Sequence, residues 1–163
     1  MLAWLFARDV PVNCRDMAGN TPLIRAAEDG QIAAMQWLCA HGANLDDSEN
    51  NGDSAIMNAA AKGQIGSVQW LISAGAAVNH RGMMGSSALH YAALYGHRDI
   101  MDALLRAGAR KDFRWHRDTP RDVAAAHGNE DCVALLDATP RDWHKRQRLY
   151  ARQAARQAMQ AKP

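Results

Sequence analysis

The sequence predicts an all-α solenoid, in which helix–turn–helix units stack on one another and short β-hairpin-like turns join them. Three observations carry that expectation. Glycines recur at Gly30, Gly63 and Gly96, then one residue early at Gly128, and a second series falls at Gly42, Gly75 and Gly108. Alanine pairs (Ala26 with Ala27, Ala59 with Ala60, Ala92 with Ala93) keep the same 33-residue step, as do Leu5, Leu38, Leu71 and Leu104 and the tryptophans Trp4, Trp37 and Trp70. Within each period, apolar residues such as Ala34, Met35 and Leu38, or Ile100, Met101, Leu104 and Leu105, have the spacing of one buried helix face. Self-similarity at such a period marks an array whose units bury their apolar faces only by stacking.

Each element follows from local chemistry. Residues 2–8 read as the second helix of a unit without its first, which leaves an apolar edge. The expectation is a piece of a longer array, or an edge covered by a second copy of the chain. In the full periods, Thr21, Ser54, Ser87 and Thr119 stand where a hydroxyl accepts the free N–H groups of a helix start, and Pro22 and Pro120 sit where a missing N–H does no harm. The alanine pair lets a neighbouring helix approach closely, and the first glycine series closes this helix. A second helix with the apolar face follows and stops at the second glycine series. GANLDD, GAAVNH and GARKDF then lead extended into the next unit, where Asn51 and Gly52 form a typical tight-turn pair.

Composition narrows the function classes. A chain of 163 residues with 48% hydrophobic and 22% charged residues suits one soluble folded domain. It contains no run of about 18 apolar residues, the length a membrane span needs, and the opening MLAWLFARD lacks the features of a secretory leader. A cytoplasmic location is expected, with secretion or a periplasmic location left open. Alanine- and arginine-rich usage points to a bacterial source. Cys14, Cys39 and Cys132 match neither a zinc site nor a CxxC motif; Cys39 and Cys132 fall on apolar helix positions, and Cys14 is the more exposed of the three. The histidines have no H-x-x-x-H spacing, and there is no G-x-S-x-G elbow or G-x-x-x-x-G-K loop. No cofactor, metal, small-molecule substrate or catalytic residue is expected.

The stretches GNTPLIRAAEDG, SSALHYAALYGH and LLRAGA resemble the ankyrin repeat, whose pattern runs G-x-T-P-L-H-x-A-A-x-x-G-H and later L-L-x-x-G-A. The resemblance extends from residue 1 to about 138 and implies a half repeat over 1–15, repeats over 16–48, 49–81, 82–113 and 114–140, then a separate segment over 141–163. Repeat 2 departs from the pattern, reading DSAIMNAA without the proline, and repeat 4 has Thr139 and Pro140 where the second glycine would stand. The family implies a curved stack that binds another protein without catalysis, as an adaptor, inhibitor or immunity-type protein. It also gives His90 the role of tying adjacent turns through backbone hydrogen bonds, and makes His97 structural.

In such stacks the turn tips and the exposed end of each first helix line the binding face, where residues are free to differ between repeats. By the match to the motif, that face is polar and acidic in its first half. Its second half is apolar. The expected protein-binding set is Asp29, Asp53, Met83, Met84, Ser86, Leu94, Tyr95, Trp115 and His116, with Met83, Met84, Tyr95 and Trp115 as the hot spot and Asp29 and Asp53 steering a basic partner.

The remaining segment, RDWHKRQRLYARQAARQAMQAKP, carries seven Lys and Arg against Asp142, so a body of net charge −4 is followed by a segment of +6. Arg141, Lys145, Arg148, Arg152 and Arg156 form one helical stripe, and Trp143, Tyr150, Ala154 and Ala158 a narrower apolar one. A basic amphipathic helix of this kind caps the final repeat, or contacts an anionic partner such as nucleic acid or a membrane surface. A third expectation makes the whole chain a regulatory piece of a larger protein.

Overall fold

A computed structural model describes residues 11–138 of the chain. The expected helix over 2–8, with Trp4 and Leu5, and the basic segment over 141–163 lie outside the described residues. Eight α-helices form within them: α1 (Pro22–Glu28), α2 (Ile32–Ala40), α3 (Ala55–Ala61), α4 (Ile65–Ser73), α5 (Ala88–Leu94), α6 (Arg98–Arg106), α7 (Pro120–Ala126) and α8 (Glu130–Asp137). No strand forms among the described residues. The turns carry isolated antiparallel bridges instead, Ser48 to Ser54 and Trp115 to Asp118.

Seven- to nine-residue helices are too short to persist alone in water, so stacking decides the architecture. The first helices α1, α3, α5 and α7 pack in succession, each also against the second helix of its own unit, and α2, α4, α6 and α8 form the other layer. Ala26, Ala27, Ala59, Ala60, Ala92, Ala93 and Ala124 are all buried between the first helices. The apolar faces of the second helices (Met35 and Leu38, Val68 and Leu71, Met101 and Leu104, Leu135 and Leu136) close the core from the other side. The glycine between two helices of a unit is required twice over. Gly63 has φ +75°, and a Cβ there would stand 2.9 Å from the His97 ring of the next unit.

Adjacent units are tied at a constant step. Asp46 Oδ1 accepts from Ala77 N–H at 2.8 Å, and Asn79 Oδ1 accepts from Arg110 N–H at 2.8 Å. The turn tips are linked in the same way, since the N–H groups of Asn50, Met83 and His116 donate to the carbonyls of Ala18, Asn51 and Met84 at 3.0, 2.9 and 3.2 Å. These bonds bring the four tips into one row.

Two expectations about local structure need adjustment, the serine caps and the exposure of Cys14. Of the four hydroxyls at helix starts, Thr21 and Thr119 cap as expected, Thr119 within a reciprocal capping box with Asp122. Ser87 turns to His90 instead, and Ser54 Oγ is buried without a hydrogen-bond partner. The tryptophans of the second helices are half-buried on the core, and Trp37 lies flat against His41, with ring centroids 3.5 Å apart, because His41 follows one helical turn later. Cys132 is buried and Cys39 half-buried, and burial raises both thiols above their usual range; Cys14 is also half-buried rather than prominently exposed.

Candidate functional site

The row of tips and first-helix ends divides into an ionic half and an apolar half. In repeat 1, Arg25 donates to Asp16 at 2.8 Å and to Glu28 at 3.0 Å, and Lys62 of repeat 2 reaches back to Glu28 at 3.2 Å. The Arg25 guanidinium holds the Asp16 carboxyl down at about 2. Asp29 is exposed beside this network. Glu49 and Asp53 come next in the row. Burial, and then the Asp53 charge, push the Glu49 carboxyl above its usual range.

Asp53 does not stand where the sequence reading put it. It is 7% exposed, accepting from the Tyr91 hydroxyl at 2.6 Å and the Ser86 hydroxyl at 3.2 Å, both in repeat 3. Ser86 is buried for the same reason. Neither offers a free group to a partner; together they join repeat 2 to repeat 3. Burial, and then the neighbouring Asp53 carboxylate, keep the Tyr91 phenol protonated well above its ordinary range.

Trp115 is corrected in a similar way. Its ring is half-buried, tilted against Tyr91 at 5.4 Å and edge-on to His90 at 6.1 Å between centroids, so it belongs chiefly to the joint between repeats 3 and 4. Leu94 is half-buried on the core and does not project freely. His90 is fully buried, with Nδ1 2.8 Å from Ser87 Oγ and Nε2 3.2 Å from the Asp118 carbonyl oxygen. A carbonyl only accepts, so Nε2 carries the proton and Nδ1 accepts from the serine. Burial lowers the ring's basicity, consistent with this neutral form.

The apolar half consists of what remains exposed. Met83, Met84 and Tyr95 expose 64%, 71% and 56% of their surfaces, and they stand in one repeat, two at the tip and one at the end of α5. Met84 also has φ 61°, a left-handed conformation that costs a methionine about 1–2 kcal/mol. His116, at the next tip, has φ 59° and is exposed as well. Met17, fully exposed at the first tip, belongs to the same row and lies outside the expected binding set. Tyr91 was missed altogether. Its place inside the helix motif gave no sign that it reaches back to Asp53.

Among the described residues, no group of three His, Cys, Asp or Glu side chains is placed to hold a metal ion, and no helix is long and apolar enough to cross a membrane. The repeated two-layer stack with its row of linked tips has a counterpart in a family model described as ankyrin repeats (3 copies), which matches residues 1–82 and 78–142. The chain belongs to the ankyrin-repeat family. No curated protein matches it in sequence. Ankyrin repeats generally mediate protein–protein interaction and are typically non-catalytic, and the exposed methionines and tyrosine lie on the tips and first-helix end of the third ankyrin unit.

Proposed function

We propose that this ankyrin stack binds a partner protein on the face made by its tips and first-helix ends, with Met83, Met84 and Tyr95 as the anchor and Asp29 at its acidic flank. The observation that carries this reading is the clustering of three large exposed apolar side chains in one unit, one of them held in a backbone conformation that disfavours its own residue type. Isolated exposed apolar residues are ordinary, whereas a cluster on a surface otherwise built from ions and amides marks an interface. Strained backbone likewise concentrates at sites of function. Met and Tyr suit the role, because both bury large area on contact and Met adapts to irregular partner surfaces.

The joint role of Trp115 makes it a poor test residue, since truncating it disturbs the stack as well as the surface. Met83→Ala combined with Tyr95→Ala removes side chains that are more than half exposed and take no part in the buried core. This pair should weaken binding of whatever partner the unaltered chain retains by at least tenfold, as expected for a hot spot, with the thermal transition unchanged. Gln69→Ala, at an exposed position of α4, should leave binding intact. Equal affinity for the double variant and the unaltered chain, measured by calorimetry on the captured partner, overturns the reading.

A further inference from the structure

We propose that the chain's own C-terminal basic segment, residues 141–163, docks in cis on this face and competes with the partner for it. The inference rests on the protein-binding reading above and names a second occupant for the same surface.

The first argument is charge. In repeats 1 and 2 the tips and first-helix ends carry Asp16, Glu28, Asp29 and Glu49 against Arg25 and Lys62, and Arg81, the last residue of repeat 2, is engaged over the Phe113 ring. Arg25 and Lys62 are already committed to Asp16 and Glu28. Glu49 is joined to the neutral Asn58 amide, and the Asp53 carboxylate buried beneath it accepts from neutral hydroxyls, so no contacting cation cancels the negative potential at Glu49. The segment that follows the stack has the opposite sign, seven Lys and Arg against one Asp. Opposite fields of this kind steer two surfaces together and fix their register.

The second argument is apolar complementarity and reach. Trp143, Leu149, Tyr150 and Met159 are interspersed among the basic residues, and the acidic strip ends at Met83, Met84 and Tyr95, which lack cover among the described residues. The anchor lies one repeat from the end of the stack, since Asn129 at the start of α8 donates to the Leu94 carbonyl beside Tyr95 at 3.1 Å. Twenty-five residues follow Ala138. As a helix they span about 37 Å at about 1.5 Å per residue, and extended roughly twice that. Either length exceeds the roughly 10 Å that separates packed helices of adjacent units.

The test uses the full chain with methyl-labelled methionine. Neutralising the stripe (R141Q, K145Q, R148Q, R152Q and R156Q together) should shift the methyl signals of Met83 and Met84, as should raising the salt to about 1 M, which screens exposed charges beyond about 3 Å. The methyl signals of the buried Met35, Met57 and Met101 should stay in place and report an intact stack. Unmoved Met83 and Met84 signals with the core in place overturn the proposal. Shifts that depend on protein concentration overturn it too, because they assign the docking to a second copy. Should the core signals move as well, carbodiimide coupling on the unaltered chain decides: an intramolecular amide from Lys145 or Lys162 to Asp29, Glu28 or Glu49 supports docking, and its absence overturns it. The neutralised chain should bind the external partner at least threefold more tightly. Loss of partner binding in the Met83 and Tyr95 double variant is independent of these results, so failure of the tail does not pass for failure of the face.

Discussion

Repeat 2 has Met57, Asn51, Asn58 and Lys62 at the positions where repeat 3 has His90, Met84, Tyr91 and Tyr95. Helix lengths are the same in both, with seven residues in each first helix and nine in each second, and the tips differ in that Met84 takes a left-handed conformation. The polarity is inverted. Repeat 2 buries a methionine and presents amides and a lysine, whereas repeat 3 buries a histidine network and presents two methionines and a tyrosine. Glycine, alanine and leucine positions set the stack, and the positions between them assign inside and outside chemistry unit by unit. An apolar outer surface in repeat 3 is therefore a local choice and not a consequence of the fold.

The largest test of that contrast is inside. His90→Ala leaves a cavity and orphans both Ser87 Oγ and the Asp118 carbonyl, so it should cost about 3 kcal/mol in urea unfolding. A loss below about 1 kcal/mol would show that repacking replaces the tie. Protonation gives an independent reading. The folded ring has a lowered pKa, so between that value and the unfolded value of about 6.5 the unfolded chain binds more protons. The contribution of His90 to stability is thus fully present above about pH 6.5, declines as pH falls through the window, and levels off below the folded value. His90→Gln should remove up to about 1.4 kcal/mol per pH unit from the slope in that window. Met57→Gln, at the equivalent position of repeat 2, should leave the slope unchanged.

Next in size is the joint between the two repeats. Tyr91→Phe removes the 2.6 Å hydrogen bond to Asp53 and leaves that buried carboxylate with Ser86 as its remaining hydroxyl donor. Hydrogen bonds to charged groups contribute about 1.5–3 kcal/mol, so a loss near 2 kcal/mol is expected. Asp53→Asn combined with Tyr91→Phe should cost clearly less than the two single changes added together, because both remove the same contact. Strict additivity in the double-mutant cycle would mean that the pair is adjacent but uncoupled.

The stack was legible in the sequence because its constraints are local and repeat. A glycine with positive φ, an alanine pair between helices and an apolar helix face each leave the same mark every 33 residues. Exposure along the tips and first-helix ends was legible only where a residue's environment depends on its own unit, as at Met83, Met84 and Tyr95. Asp53, Ser86 and Trp115 were misplaced as free surface because side chains from the neighbouring repeat cover them. Tyr91 lies 38 residues from Asp53, and no pattern within one period signals that contact. Ser54 and Ser87 share a place in the motif and differ in role for a local reason instead: the residue that decides each serine's role sits three positions on, as Met57 in one repeat and His90 in the other.

That last pair gives the smallest and most selective test. Ser87→Ala deprives His90 Nδ1 of its donor inside the core and should cost about 1 kcal/mol or slightly more. Ser54→Ala removes a buried hydroxyl that has no partner, so its unfolding midpoint should stay within about 0.5 kcal/mol of the unaltered chain or move upward. Introducing Met57→His should make repeat 2 behave like repeat 3. A histidine three residues after Ser54 supplies the acceptor that Ser87 already has, and Ser54→Ala should then become costly in that background while remaining neutral in the original. If Ser54→Ala is costly without the histidine, the hydroxyl acts as an ordinary helix cap, and the difference between the two repeats lies on their outer surfaces alone.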